Sequence, residues 1–194
     1  GSGRLSLGRS SSSSGRYRRS RASAILNTED VPIETWTPAS VTIDAGTTLE
    51  LTAEQADGLI LSGDGTAIVS AFADTPGANL GDVTPVGGVV ALLSAEATLT
   101  DQAGFGAADL TVDGGFKLDV SVVTDANWGL TSSQSVTVTS GSTLRMTAAQ
   151  ADGLSIAGPG AVVITEADQT PGADLSGVVP DGGVTVELGA DATL

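Results

Sequence analysis

The 194-residue chain contains no cysteine and no histidine, and only six aromatic residues: Tyr17, Trp36, Phe72, Phe105, Phe116 and Trp128. Without Cys or His there is no Ser-His-Asp or Cys-His nucleophile system, no zinc finger and no disulfide framework. The missing cysteine is compatible with a life outside the cell. No apolar run approaches the roughly 18 residues that cross a bilayer, so no membrane span is expected. The N-terminus carries charge without a following apolar stretch, so no Sec signal peptide is expected. With so few rings, a core must be built from Val, Leu, Ile and Ala. Such residues suit a narrow interior, either stacked β-coils or a thin sandwich.

Positive charge is almost confined to one end. Residues 1–28 hold Arg4, Arg9, Arg16, Arg18, Arg19 and Arg21 and no acid, whereas the rest holds Lys117 and Arg145 against all 23 acidic residues. The segment is rich in Ser, Gly and Arg and poor in apolar residues, which predicts a disordered basic arm. Such an arm is either a plain tail or a docking element for an acidic partner surface, with Arg4, Arg9, Arg16, Tyr17, Arg18, Arg19 and Arg21 as the contacting residues. Nucleic-acid binding by the whole chain is disfavoured because the acidic body repels phosphate and has no basic, aromatic-interleaved patch.

A duplication organises the body. Offset by 95 positions, residues 41–99 align with 136–194 without a gap, and 29 of the 59 pairs are identical. The predicted division is a basic arm over 1–28, a linker over 29–40, a first module over 41–135 and a second, partial module over 136–194. Repeats of this kind form arrays. A finer spacing lies within: Leu59, Leu80, Leu99 and Leu118 are 21, 19 and 19 residues apart, and Leu154, Leu175 and Leu194 are 21 and 19 apart. A leucine every ~20 residues falls in the range of solenoid coils, in which each turn adds a residue to an internal ladder.

Short alternating runs, such as Thr48–Thr52, Ala67–Ala71, Val89–Leu93 and Val184–Leu188, read as strands. Gly-rich turns such as Gly63-Asp64-Gly65, Gly87-Gly88 and Asp181-Gly182-Gly183 separate them. Residues 53–58 and 148–153 read as one-turn helical corners, capped by Thr52 and Thr147 and ended by Gly58 and Gly153. The fold class predicted is all-β: a β-solenoid-like repeat array with Leu80 stacked between Leu59 and Leu99, or alternatively two tandem β-sandwich domains. A sandwich usually carries a core Trp or Tyr; here Trp36 and Trp128 lie just upstream of the repeats, where a linker or cap would be.

Acids beside turns invite a calcium reading. Asp57, Asp74, Asp82, Asp152 and Asp181 are the candidates, but there is no EF-hand loop, Asp64 is matched by Pro159 in the second copy, and Asp82 by Gly177. Solvated turn carboxylates are the favoured reading, and no metal or cofactor is expected. No pair of acids is singled out for glycoside hydrolysis, and the Gly-rich turns complete no phosphate loop, so the chain is not expected to be an enzyme.

The segments LTAEQADGLILSGDGTAIV and MTAAQADGLSIAGPGAVVI, followed in the second copy by TPGADLSGV, resemble the Thr/Ala/Gly/Asp-rich repeats of large bacterial surface proteins and phage fibre-like proteins. That resemblance implies a non-enzymatic surface or fibre role and supplies no catalytic residue. The expected function is a structural component of an extracellular assembly, a bacteriophage virion fibre or decoration protein. Its arm would dock on other structural proteins, and a homo-oligomer, a trimer, is expected from exposed strand edges. The alternatives are a repeat segment of a secreted adhesin or surface-layer protein with a cell-surface ligand, and a nucleic-acid-associated protein acting through the arm.

Overall fold

The computed structural model describes residues 5–8 and 40–189; the arm residues Arg4, Arg9, Arg16, Tyr17, Arg18, Arg19 and Arg21, as well as Leu194, lie outside them. In chain order the elements are β1 (Leu5–Gly8), β2 (Ser40–Ile43), β3 (Thr48–Thr52), α1 (Ala53–Ala56), β4 (Leu61–Gly63), β5 (Thr66–Ser70), β6 (Asn79–Leu80), β7 (Val89–Leu92) and β8 (Ala97–Thr98). They continue with β9 (Gly104–Phe105), β10 (Leu110–Asp113), β11 (Lys117–Asp119), α2 (Asp125–Trp128), β12 (Ser135–Val138), β13 (Thr143–Thr147), α3 (Ala148–Ala151), β14 (Ser155–Ala157), β15 (Ala161–Thr165) and β16 (Val184–Val186). Apart from β1 on β2, every strand pairing among the described residues is parallel. A tandem sandwich would pair its neighbours antiparallel. The fold is a β-solenoid.

One column of paired residues runs through nearly the whole body. Leu49, Ala67, Val89, Leu110, Val136, Ile156 and Val178 stand above one another in successive turns. Their numbers step by 18, 22, 21, 26, 20 and 22, which is the ~20-residue period, with enough slack to admit an irregular corner in each turn. These residues point inward and are buried, while their sequence neighbours on the same strands face out, as the two-residue repeat of a strand requires.

Each turn has three sides. The first carries β2, β4 and the isolated bridge at Val83, and continues past Gly106, where a β-carbon would run into the Gly81 and Val83 carbonyls. The second carries β3, β5, β7, β10, β12 and β14 as one six-stranded sheet. The third carries β8, β11, β13, β15 and β16. In the first copy the third side holds α1 and the irregular stretch 71–78; in the second copy α3 occupies the first side instead.

The two copies are therefore not related by translation along the axis. Val136 is the sequence counterpart of Val41, yet it pairs with Leu110, which continues the column of Leu49. Likewise Leu144, the counterpart of Leu49, joins the column Ala97, Leu118, Leu144, Val162 and Val184 on the third side. The duplication advances the chain by whole turns plus one side.

The corners α1 and α3 form as their sequences predict. Thr52 Oγ1 accepts the Gln55 amide at 3.2 Å and Gln55 Oε1 accepts the Thr52 amide at 2.9 Å; Thr147 and Gln150 repeat the arrangement at 3.1 and 2.8 Å. This is a capping box, which satisfies the N-cap and N3 backbone donors at the start of the helical turn. Gly58 and Gly153 then reverse the chain at φ of 65° and 68°.

The interior departs from the expected leucine ladder. Leu59, Leu80, Leu99 and Leu154 are buried, but Leu80 pairs with Phe105, not Leu99. Leu99 lies instead beside Asp119, whose carbonyl accepts its amide at 2.9 Å. The equal spacing of the leucines concealed a longer turn: from Leu80 to its partner Phe105 the chain passes through β7 and β8. Leu175 is only half-buried against the core, because the described residues place no further turn above it as Phe105 lies above Leu80. Trp128 is not in a cap or linker. It is buried, meets Phe105 edge-on at 5.6 Å between centroids, and Phe105 in turn lies 6.4 Å from Phe72. Tilted and edge-on rings at such distances attract beyond their area burial.

Candidate functional site

The chemistry-bearing side chains of the body lie where one turn meets the next. Asp57 Oδ1 accepts the Asn79 amide at 2.8 Å, and its counterpart Asp152 accepts the Asp174 amide at 2.6 Å. Asp109 accepts the Ser135 amide at 2.8 Å and Asp168 the Gly189 amide at 2.6 Å. Each bond joins residues one turn apart, so each carboxylate clamps a backbone donor that the irregular corner leaves without a ladder partner. Asp57 and Asp152 are thus not merely solvated turn carboxylates, as expected, but inter-turn acceptors. Asp64, Asp74, Asp82 and Asp181 are exposed.

Asn79 and Asp174 also do more than face water. Asn79 Oδ1 accepts the Gly81 amide at 2.9 Å, and Asp174 Oδ1 the Ser176 amide at 3.0 Å. The Ser176 hydroxyl and amide hold the Asp174 carboxyl below its ordinary range.

The third side carries an ionic bridge across several turns. Arg145 on β13 donates to Asp119 on β11 at 3.1 Å and to Glu187, just past β16, at 2.9 Å. It also donates to the Ser121 hydroxyl at 3.0 Å. Burial pushes the Asp119 carboxyl up, but the Ser121 hydroxyl and amide together with Arg145 outweigh it and leave the group below its ordinary value. Hydrogen bonding to Glu187 first, then Asp119, holds Arg145 charged. On the second side, Asp113 accepts the Thr139 hydroxyl at 2.7 Å and the Gly114 amide at 2.8 Å, and both lower its pKa.

Gln150 gathers a buried polar cluster. Its Nε2 donates to the carbonyls of Val120 and Val123, both at 2.8 Å, while its backbone carbonyl accepts the Trp128 indole N–H at 3.1 Å. No buried side-chain polar atom among the described residues lacks a partner. Ser142, Gln150 and Thr165 use these bonds to reach backbone of neighbouring turns, 19 to 30 residues away.

Among the described residues no three His, Cys, Asp or Glu side chains gather as a metal cage, and no helix is long and apolar enough to cross a membrane. The clamps by Asp109 and Asp168 escaped the sequence reading because each partner is set by the register between turns. No protein-family model, curated protein or solved structure matches this chain.

Proposed function

We propose that the chain is a non-enzymatic structural component of an extracellular assembly, a bacteriophage virion fibre or decoration protein whose basic N-terminal arm anchors it and whose acidic solenoid projects outward. The observation that supports this reading most is the use of the polar side chains. The carboxylates of Asp57, Asp109, Asp152 and Asp168 and the amide of Gln150 bind backbone of neighbouring turns, which suits a stiff spacer better than a reacting centre. The charge split supports the anchoring role: an arm with six arginines precedes a body with 23 acids, so the arm is attracted to acidic surfaces that repel the body.

The test is mass spectrometry of particles purified by density gradient from the culture that produces the protein, with a variant lacking residues 1–22 as comparison. The reading expects the chain to band with particles, and the truncated variant to stay at the top of the gradient. A full-length chain absent from every particle band overturns it. Binding through the arm should weaken with added salt, since exposed charge pairs are screened over about 10 Å at 0.1 M.

A further inference from the structure

We propose that the outer face of the six-stranded second side is a contact between two copies of this chain, packed sheet on sheet with their solenoid axes antiparallel. Glu50, Ile68, Val90, Thr111, Thr137 and Ala157 form one outward column across its six strands. Only Glu50, at one end of the column, is charged. Beside Val90 stands Leu92, 40% exposed although its strand lies in the middle of the sheet.

The duplication supplies an internal control. Glu50, Ile68, Val90 and Leu92 have Arg145, Val163, Thr185 and Glu187 as counterparts on the third side, in the same register. There Arg145 reaches Glu187 at 2.9 Å and closes the outer face with a salt bridge. On the second side valine and leucine stand in place of that threonine and glutamate. One strand layout thus carries two outer faces, one finished for water and one apolar. The apolar face keeps its acids, Glu50, Asp109 and Asp113, around an uncharged centre, which is the anatomy of a protein contact.

Shape, area and charge select the occupant. Two flat sheets with the same strand spacing stack with their strands nearly aligned, and a second copy offers that match along all six strands. Strands about 4.8 Å apart and four to five residues wide present on the order of 500 Å² per copy. Twice that area falls at the low end of specific contacts and suits a weak, concentration-dependent dimer. Charge sets the direction. With parallel axes, a two-fold would set Glu50 against Glu50 and Asp109 against Asp113. With antiparallel axes it sets Glu50 against Ala157, Ile68 against Thr137 and Val90 against Thr111, and no acid meets another. A two-fold contact closes at two copies, where exposed strand edges alone suggested three. The proposal rests on this face and not on the particle assignment, so either can fail without the other.

The full-length protein, which has no cysteine, permits a direct test. Sedimentation equilibrium between about 1 and 300 µM should show monomer passing to dimer and no larger species. Thr137→Glu places a charge opposite Ile68 and should weaken the dimer at least about tenfold, whereas Thr185→Glu, the same change on the third side, should leave it unaltered. Both threonines are exposed, so both variants should keep their far-UV circular dichroism. Glu50→Cys and Ala157→Cys variants, mixed with a bismaleimide about 10 Å long to match the spacing of packed sheets, should link to each other, and Glu50→Cys alone should not link to itself. A monomer at every concentration, association beyond the dimer, a dimer weakened equally by both glutamate substitutions or by neither, or Glu50→Cys linked to itself would each overturn the proposal.

Discussion

The indole N–H of Trp128 donates to the backbone carbonyl of Gln150 at 3.1 Å, and both residues are buried. The bond ties the turn that joins the two copies to the corner helix of the second. Gln150 completes the tie by donating to Val120 and Val123, so one side chain anchors a capping box and a loop from the previous turn. Its counterpart Gln55 serves the capping box at Thr52 and is half-buried.

The two glutamines should accordingly differ on substitution. Gln150→Ala leaves the buried Val123 carbonyl and the Thr147 amide without the side chain that pairs them, while the Val120 carbonyl keeps the Val123 amide, and should cost about 2–4 kcal/mol. Gln55→Ala loses a half-exposed cap bond and should cost about 1 kcal/mol. Urea denaturation of both variants checks the contrast; equal costs would refute the account of Gln150 as an inter-turn anchor.

Leu80→Ala empties a fully covered site and should cost ~2–5 kcal/mol. Leu175→Ala, at the equivalent but only half-buried position, should cost less than half as much, because less apolar area returns to water. Thermal melts of the two variants measure the difference, provided they are read in dilute solution where association does not contribute.

Acid should loosen the third side. The Asp119 carboxyl has a pKa below its unfolded value, so the folded state binds fewer protons there. Its contribution is fully present above the ordinary carboxylate range and is lost as pH falls through the lower folded value. Asp113 has the same sign. An Asp119→Asn variant should be less stable at neutral pH and show a shallower fall in stability on acidification below about pH 4. An unchanged acid slope would show that the Arg145 bridge is not the linked group.

Ala71 and its counterpart Glu166 sit in the left-handed region at φ of 60° and 56°. A side chain is disfavoured there by roughly 1 kcal/mol against glycine. Glu166→Gly and Ala71→Gly should therefore each stabilise the fold slightly, by up to about 1 kcal/mol less the extra freedom glycine gives the unfolded chain. Gly129 is the opposite case: at φ 71° a β-carbon would run into the Phe105 carbonyl, and Gly129→Ala should destabilise strongly. Denaturant midpoints of the three variants test both signs.

Local chemistry was legible in the sequence; long-range register was not. Thr52 with Gln55 and Thr147 with Gln150 carry a capping signature within four residues, and the alternating runs near Thr48 and Val184 announce strands. The partner of Asp57, by contrast, is the amide of Asn79, 22 residues on, and nothing in either residue announces the other. The leucine spacing revealed the coil period but misassigned Leu99, because a period averages over turns while a column depends on the length of each one. The role of Trp128 was hidden for the same reason, since Phe105 becomes its neighbour, and Phe72 the neighbour of Phe105, only when three turns are stacked in register.

The one-side offset between the copies sets where surface features can appear. A stalk built from plain translational repeats would show each exposed loop along a single stripe. Here the Gly87-Gly88 turn and its counterpart Gly182-Gly183 lead into β7 and β16 on adjacent sides, like steps of a spiral stair. Such a turn is presented around the circumference, and an approaching surface would meet a copy of it from more than one direction.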